Sequence, residues 1–302
     1  MYYMENLVNR FLDFLKYEKR YSQFTIKSYA NDLNQFLKFI HHHTVQVNDV
    51  DKVDKNTIRS FILYLKDNKY NNNSINRKIA TLKSFYNFLY QKAIITKNVA
   101  QGILMLKKEK KLPVIVSEVE MQQIENFLNQ NNYTFSELRD QVVIELLYGT
   151  GIRLSELVNL KDINFQNNFS KLKVLGKGNK ERIIPIHSKL QILLSQYWDE
   201  KKKLGFEKPE LTFIVTNTGK NCYRMFIQRI VFKYLAKICN HLERKSPHVI
   251  RHTFASHLLN NQADITSIKE LLGHSSLAAT QIYTHTDIEK LKLVFEKFHP
   301  KS

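Results

Sequence analysis

The chain has 302 residues, more than one hydrophobic core usually organises, so we expect two domains. Its hydrophobic share of 43% and aromatic share of 12% can fill packed cores and exclude a disordered chain. Lysine and arginine number 46 against 28 aspartates and glutamates, and the net charge of +18 indicates a polyanionic partner, although a merely solvated basic surface would give the same count.

The cysteines and the N-terminus indicate the compartment. Only Cys222 and Cys239 occur, and their spacing suggests neither a disulfide framework nor a cysteine zinc site. The start, MYYMEN, lacks the basic residues and apolar run of a signal peptide, and no stretch of about 18 apolar residues follows. We therefore expect a soluble, cytoplasmic protein that does not insert into a membrane.

Residues 1–106 have helical apolar spacing and no strand pattern. Four apolar faces repeat at this spacing, so we predict a small bundle of about four helices. Basic and amide side chains between the faces could contact DNA phosphates or could simply be solvated. They are Lys27, Arg59, Asn76, Arg77, Lys78 and Lys83.

The helical pattern breaks after residue 106. A lysine-rich run begins at Lys107 and ends before Pro113, and charge followed by a proline is typical of a linker. We place the linker at residues 107–116 and the first domain at residues 1–106.

Residues 117–302 mix helical and strand patterns. A capping box at Ser117 begins one helix, and a second helix, from about residue 134, is closed by Gly149. Two strand-like runs within residues 172–186 flank a glycine-containing turn, which predicts a β-hairpin. The predicted fold class is mainly α, with a small β-hairpin or sheet in the second of two domains.

Arg153, His248 and Arg251 could bind one phosphate from two helix starts. Arg153 is predicted in the first turn of a helix, where free N–H groups favour an anion, although pairing with Glu156 would explain it better if the segment stood alone. His248 and Arg251, three residues apart, share a helix face and could reach the same phosphate. His248 and His252 have a metal-like spacing, but the Glu of an HExxH motif is absent.

Three further residues could complete such a site. His274 is predicted in a helix junction, where an imidazole can contact a phosphate oxygen or cap a carbonyl. Tyr283 would need nearby cations to lose its phenolic proton and act as a nucleophile, and a lone tyrosine is more often packing. Lys177 at the hairpin tip could protonate a departing 5′-hydroxyl, with Lys180 and Arg182 competing for that role.

Five ordered motifs resemble those of the tyrosine recombinases, also called the phage integrase family. The resemblance spans both predicted domains and is closest to the Xer branch, because the layout is compact and the chain ends in a tail like IEKLKLVFEKFHP. The motifs are GTGIRLSEL (149–157), GKGNKER (176–182), HVIRHTFASH (248–257), LLGHSS (271–276) and TQIYTH (280–285).

The resemblance implies a reaction without ATP, metal or cofactor. Tyr283 would attack the scissile phosphate, form a 3′-phosphotyrosyl link and free a 5′-hydroxyl, with Lys177 as the general acid. The covalent link would keep the energy needed to reseal the strands, so the 5′-hydroxyl of a second duplex could attack back.

The resemblance also assigns the phosphate-binding residues. Arg153 and Arg251 would neutralise the transition state. His248 would act as a base or hydrogen-bond partner, and His274 would donate a hydrogen bond to the phosphate. Glu156 matches the acidic position of the family and would orient Arg153.

The implied partners are nucleic acid and other protomers. Residues 1–106 would be a SAM-like core-binding domain and residues 117–302 a catalytic domain with a C-terminal helix, together clamping double-stranded DNA at a dif-like site. A homotetramer, or a heterotetramer with a second Xer-type recombinase, would resolve chromosome dimers during segregation and cell division, and a septal DNA translocase could regulate it. The tail helix, residues 287–302, would dock on a neighbouring protomer or on its own domain.

Alternatives remain open at the level of the sequence. A mobile-element integrase would share the catalytic residues, and a type IB topoisomerase would share the chemistry but act as a monomer. A catalytically silent DNA-binding protein would keep the clamp without the reaction. These residues do not determine the target sequence, the order of strand exchange, or whether the role is XerC-like or XerD-like.

Overall fold

The computed structural model divides the chain into two compact units, Met1–Lys111 and Leu112–Ser302. Each unit has its own hydrophobic core. Among the residues that the structure describes, no helix is long and apolar enough to cross a membrane. The described residues are 2–43, 52–107, 115–128, 134–176 and 181–273.

The described part of the first unit is built from four α-helices, as the apolar spacing predicts. Their faces meet in a core rich in aromatic rings. Phe11 contacts Phe85 edge-on with ring centroids 5.4 Å apart, and Phe36 contacts Phe61 in the same way at 5.1 Å. The helices are α1 (Tyr2–Asp13), α2 (Gln23–His43), α3 (Lys55–Asp67) and α4 (Asn72–Gln91), with a π-helical turn at Phe14–Glu18 after α1.

Two side chains of α4 that the sequence leaves available for DNA are used inside the unit. Asn76 donates to the Leu106 carbonyl at 2.8 Å and accepts from the Leu106 N–H at 2.7 Å. Lys78 is buried, and its Nζ donates to the Asp32 carboxylate at 2.8 Å. Buried polar groups need partners, so for these two residues the expectation of a solvated or DNA-facing side chain is wrong.

The described part of the second unit combines helices with a small sheet. Its α-helices are α5 (Glu118–Leu128), α6 (Phe135–Thr150), α7 (Leu154–Val158), α8 (Ser188–Lys203), α9 (Arg224–Ile238), α10 (Pro247–Asn260) and α11 (Ile265–Leu272). A 3₁₀ turn at Asp162–Asn164 precedes three strands, β1 (Phe165–Gln166), β2 (Lys171–Leu175) and β3 (Glu181–Pro185). The strands form an antiparallel sheet in the order β1-β2-β3.

The predicted hairpin is confirmed in its two strands. Leu172 pairs with Ile184 and Val174 pairs with Arg182 across the antiparallel register. The short strand β1 is an addition that the sequence pattern does not predict, because two residues are too few to show an alternation. The turn residues 177–180 lie outside the described residues.

The long central helix α6 ends two residues later than predicted. Gly149 lies inside the helix, and Gly151 is the residue that ends it, with a left-handed φ of 59° and an N–H bonded to the Leu147 carbonyl. A Cβ at Gly151 would lie 2.8 Å from a side-chain carbon of Leu272, so α6 and α11 approach closely there. This approach brings the residues after α6 to the end of α11.

Candidate active site

Arg153 lies in the short link between α6 and α7. Its extended backbone makes it the N-cap of α7 rather than a first-turn residue, which corrects the sequence expectation. The Glu156 carboxylate accepts the Arg153 backbone N–H at 2.7 Å and the Arg153 Nη1 at 2.9 Å. That carboxylate occupies the helix start, so the guanidinium, whose side chain is 26% exposed, is the group that can face an anion.

Arg251 and His248 come from the first two turns of α10. Pro247 begins this helix directly after the N-cap Ser246, and the two functional side chains follow three residues apart. Arg251 is buried and donates from Nη1 to the Gly151 carbonyl, whereas His248 is exposed. The helix therefore places a fixed guanidinium beside an imidazole that solvent and ligands can reach.

Three arginines cap the C-terminal end of α11. Arg182 Nε donates to the Leu271 carbonyl at 2.9 Å, and Arg251 Nη2 donates to the Leu272 carbonyl at 2.7 Å. Arg153 Nη2 donates to the carbonyl of Gly273, the left-handed cap residue, at 2.6 Å. The last carbonyls of a helix lack partners within it and carry partial negative charge, so cations there are favourable.

Glu156 connects two of these arginines. Arg182 donates from Nη1 and Nη2 to the two carboxylate oxygens at 2.9 and 2.8 Å, in a buried bidentate pair. Together with Arg153 and Arg251, we call this group the arginine cluster; it comprises Arg153, Glu156, Arg182 and Arg251. Three guanidiniums face one carboxylate, so the cluster keeps positive charge that its own residues do not neutralise.

The protonation of the cluster suits an anion site. Burial alone would raise the pKa of the Glu156 carboxyl, but the hydrogen bonds and charge of Arg182, together with hydrogen bonds from Arg153, outweigh burial and lower that pKa. Burial and then repulsion from Arg153 lower the pKa of Arg251 to about 10, so it stays cationic at neutral pH. Burial, followed by neighbouring histidine and arginine charges, lowers the pKa of His248 and favours its neutral form.

Three of the six predicted site residues can be placed. Arg153 and Arg251 donate to neighbouring carbonyls at the end of α11, and both contribute to the lowered pKa of His248, so these three groups lie together. The other three predicted residues, Lys177, His274 and Tyr283, lie outside the described residues. Gly273, whose carbonyl accepts a bond from Arg153, is the residue directly before His274.

Arg182 is the cluster residue that the motifs do not assign to this place. The sequence suggests it only as a competitor for the general acid, yet it is buried and bonded to Glu156 and α11. A signal for this existed, because Arg182, Ile184 and Ile186 occupy alternate positions and all three are buried. A charged residue at an inward position of a strand predicts a buried carboxylate partner.

A metal site was the alternative for His248 and His252. Across the described ranges, no three His, Cys, Asp or Glu side chains come together as a possible metal-binding group.

Two family models match the chain. The model described as the phage integrase family matches residues 117–290, and the model described as the phage integrase N-terminal SAM-like domain matches residues 8–93.

Curated relatives are similar over nearly the whole chain. The chain is 35% identical to a tyrosine recombinase XerC of Listeria innocua, over 98% of each protein. It is 36% identical to a tyrosine recombinase XerC of Thermodesulfovibrio yellowstonii, over 98% of this chain and 96% of the relative.

Solved structures share the fold at lower identity. A XerH site-specific recombinase bound to palindromic difH substrate, in a post-cleavage complex, has a TM-score of 0.71 and 18% identity, over 95% of this chain and 83% of that chain. A lambda integrase dimer bound to a COC′ core site has a TM-score of 0.68 and 16% identity, over 92% of this chain and 98% of that chain.

Proposed function

Because the chain belongs to the phage integrase family of tyrosine recombinases, in its Xer branch, we propose that Tyr283 cuts and rejoins DNA through a 3′-phosphotyrosyl intermediate. The chain is a site-specific DNA recombinase. The observation that carries the proposal is the arginine cluster. Its surplus positive charge gathers at the end of α11, and the chain continues from there into the segment that contains His274 and Tyr283.

The arginine cluster supplies what the transition state of phosphoryl transfer requires. When an oxygen attacks the phosphate, negative charge accumulates on the non-bridging oxygens, and fixed guanidiniums stabilise it without reorganising. A guanidinium has five N–H donors, and the side-chain bonds described for Arg153 and for Arg251 engage two in each case, so donors remain for a phosphate. The carbonyls of α11 hold both guanidiniums in place before DNA arrives.

The remaining roles complete one balanced step. The Tyr283 oxygen forms a bond to phosphorus, the bond from phosphorus to the 5′ oxygen breaks, and the 5′ oxygen takes up a proton from Lys177. His248, whose lowered pKa favours a neutral imidazole, accepts the phenolic proton at one ring nitrogen, and the N–H of its other ring nitrogen can donate a hydrogen bond to the phosphate. His274 donates a further hydrogen bond to the phosphate.

The partners we propose follow from the relatives and from the charge. A solved relative, XerH, is bound to difH, and a lambda integrase is a tetramer bound to a Holliday junction. We assign this chain a dif-like site in double-stranded DNA, a homotetramer or a tetramer with a second Xer-type recombinase, and a septal DNA translocase as regulator. Residues 1–106 act as the core-binding domain, residues 107–116 as the linker and residues 117–302 as the catalytic domain.

Chromosome dimer resolution is favoured over service to a mobile element. The XerC relatives are about twice as similar in sequence as the lambda integrases, at 35% and 36% against 16% identity. A chromosomal target also requires the protein to work in the cytoplasm, as the sequence predicts.

The test uses a nicked duplex that carries a dif-like site and releases a short 5′ fragment after cleavage. We expect a covalent protein–DNA adduct without added metal, and Tyr283→Phe should remove the adduct while leaving DNA binding intact, because only the nucleophilic oxygen is lost. Denaturing gels and peptide mass mapping measure both. Tight binding of the wild-type chain with no adduct would instead identify a silent DNA-binding protein.

A further inference from the structure

Arg182 occupies the centre of the arginine cluster without being aimed at solvent. It projects from β3 opposite Val174, and its side chain is 5% exposed. Its guanidinium makes three described bonds at once, two to the Glu156 carboxylate and one to the Leu271 carbonyl. A group with these contacts joins the hairpin, α7 and α11 at a single point.

We propose that Arg182 is a positioning residue for strand cleavage, acting on the scissile phosphate through Glu156 and Arg153. This inference rests on the proposed function, since it concerns the same reaction. Arg182 does not touch the phosphate. It fixes the carboxylate that fixes Arg153, and it holds the end of α11 from which the chain continues to His274.

The first reason is the charge of the pair formed by Arg153 and Glu156. A guanidinium and a carboxylate in contact are together neutral, and such a pair would offer little to an anionic phosphate. Arg182 adds a second positive charge to the same carboxylate, and its bonds and charge are the main cause that lowers the pKa of Glu156 against burial. With Arg182 in place, the charge of Arg153 is available for the phosphate.

The second reason is geometry. The Glu156 oxygens accept four described bonds, from the Arg153 N–H and Nη1 and from Arg182 Nη1 and Nη2, so the carboxylate has a single orientation. A Cβ on Gly273 would lie 3.1 Å from Arg182 Nη1, so the guanidinium also packs directly against the residue before His274. Lysine keeps the charge but cannot form the fork and the third bond together.

The main experiment compares two DNA substrates under single-turnover conditions at saturating DNA. One has an ordinary scissile phosphate, and the other a methylphosphonate, in which a methyl group replaces a charged oxygen. With the phosphate, we expect Arg182→Lys and Arg182→Met to cleave about 100-fold more slowly than wild type, as misplaced reacting groups do, with DNA half-saturation unchanged. With the methylphosphonate, the difference from wild type should shrink markedly, because less charge has to be neutralised.

The matched control is Lys173→Met. Lys173 lies on the neighbouring strand β2, where it alternates with the buried Leu172 and Val174, and it forms an exposed ion pair with Glu181 at 2.8 Å. This variant should cleave both substrates at the wild-type rate. Equal losses on both substrates in the Arg182 variants would indicate a folding defect only, and wild-type rates in both variants would overturn the proposal directly.

A second measurement tests the positioning without any reaction. The side-chain Nε–H resonance of Arg153, assigned with Arg153→Lys, should shift in Arg182→Lys and stay in place in Lys173→Met. An unmoved resonance in Arg182→Lys would overturn the inference. If wild-type protein forms no adduct, the proposed function fails while this measurement still decides whether Arg182 positions Arg153.

Discussion

Asp32 in the first unit and Glu156 in the second are buried carboxylates that bind the same kinds of groups and produce different outcomes. Asp32 accepts bonds from Lys78, Arg77 and Thr81, which all belong to α4, so its cluster ties α2 to α4. Glu156 accepts bonds from Arg153 and from Arg182 of β3, and the same arginines continue to α11.

The two clusters differ in the number of secondary-structure elements that they join and in their net positive charge. The Asp32 cluster joins two helices through one short stretch of α4, and this holds a bundle together. The arginine cluster joins the α6–α7 link, β3, α10 and α11, and Arg251 adds a third cation to it. Three guanidiniums around one carboxylate, brought together from several elements, make a site for an anion. The Asp32 cluster has one cation fewer, and the half-exposed Arg77 supplies its surplus charge, so this cluster serves the packing of two helices.

Among variants that test the difference between the two clusters, Arg251→Lys is expected to have the largest effect, which is on the rate of DNA cleavage. A lysine keeps the charge but cannot hold the Gly151 and Leu272 carbonyls together while facing a phosphate. Single-turnover cleavage at saturating DNA should slow about 1000-fold, the loss typical for a preorganised charge-stabilising donor. Cleavage at the wild-type rate would remove the arginine cluster from the mechanism.

Asp32→Asn should lower the stability of the protein and leave its cleavage rate unchanged. It leaves Lys78 buried without its carboxylate, and we expect the free energy of unfolding to fall by about 3 kcal/mol in denaturant titrations. Cleavage by the folded protein should keep its wild-type rate at saturating DNA.

The control for this variant is the double variant Asp32→Asn with Lys78→Met. It removes both members of the buried pair, so it should regain most of the lost stability. If Asp32→Asn instead abolished cleavage without loss of stability, the two clusters would not differ in the way described.

A smaller effect is expected from Asn76→Ala. The amide bonds both backbone groups of Leu106, and losing two hydrogen bonds at a partly buried position should lower the free energy of unfolding by about 1 to 2 kcal/mol. Asn72→Ala, which removes a single exposed bond to the Lys107 carbonyl, is the control and should cost less. Equal losses would show that the bonds of Asn76 are not special to this position.

The smallest expected effect is on the stability of the protein at acidic pH, through His257. His257 is buried on α10 against the Tyr148 hydroxyl at 2.8 Å, and burial lowers its pKa below the ordinary 6.5. Because the pKa of His257 is lower in the folded than in the unfolded protein, the unfolded state binds a proton first as the pH falls. The free energy of unfolding is therefore highest above pH 6.5 and decreases as the pH falls from 6.5 through the folded pKa. His257→Gln should therefore lose less stability than wild type as pH drops below 6.5.

Denaturant titrations across that pH range measure the slope of stability against pH. His252→Gln, which replaces an exposed histidine on the same helix, shows what loss of an imidazole alone does. An identical slope in His257→Gln and wild type would contradict the assignment of this acid sensitivity to His257.

Sequence patterns predict the fold because they report burial along one element. The helical spacing of the first unit, the capping box at Ser117 and the alternation in β2 and β3 each depend on neighbours in the chain, and the structure has all three. The end of α6 is less well predicted, since two glycines compete and only packing against Phe254 and Leu272 selects Gly151.

The site is only partly predictable, because some of its contacts join residues that are far apart in the chain. Motif spacing indicates Arg153, His248 and Arg251, because each begins or follows a recognisable helix start. The role of Arg182 depends on Glu156, 26 residues earlier in the chain, and on Leu271, 89 residues later. No local pattern encodes such distances, and the same holds for the burial of Lys78 against Asp32.

We propose the arginine cluster as the phosphate site of this recombinase. The most direct measurement is a structure of the full chain covalently joined to a nicked duplex with a dif-like site. We predict that the phosphate linked to Tyr283 lies within about 3 Å of guanidinium nitrogens of both Arg153 and Arg251. A linked phosphate held by other residues, with these two arginines still contacting only the end of α11, would contradict the claim.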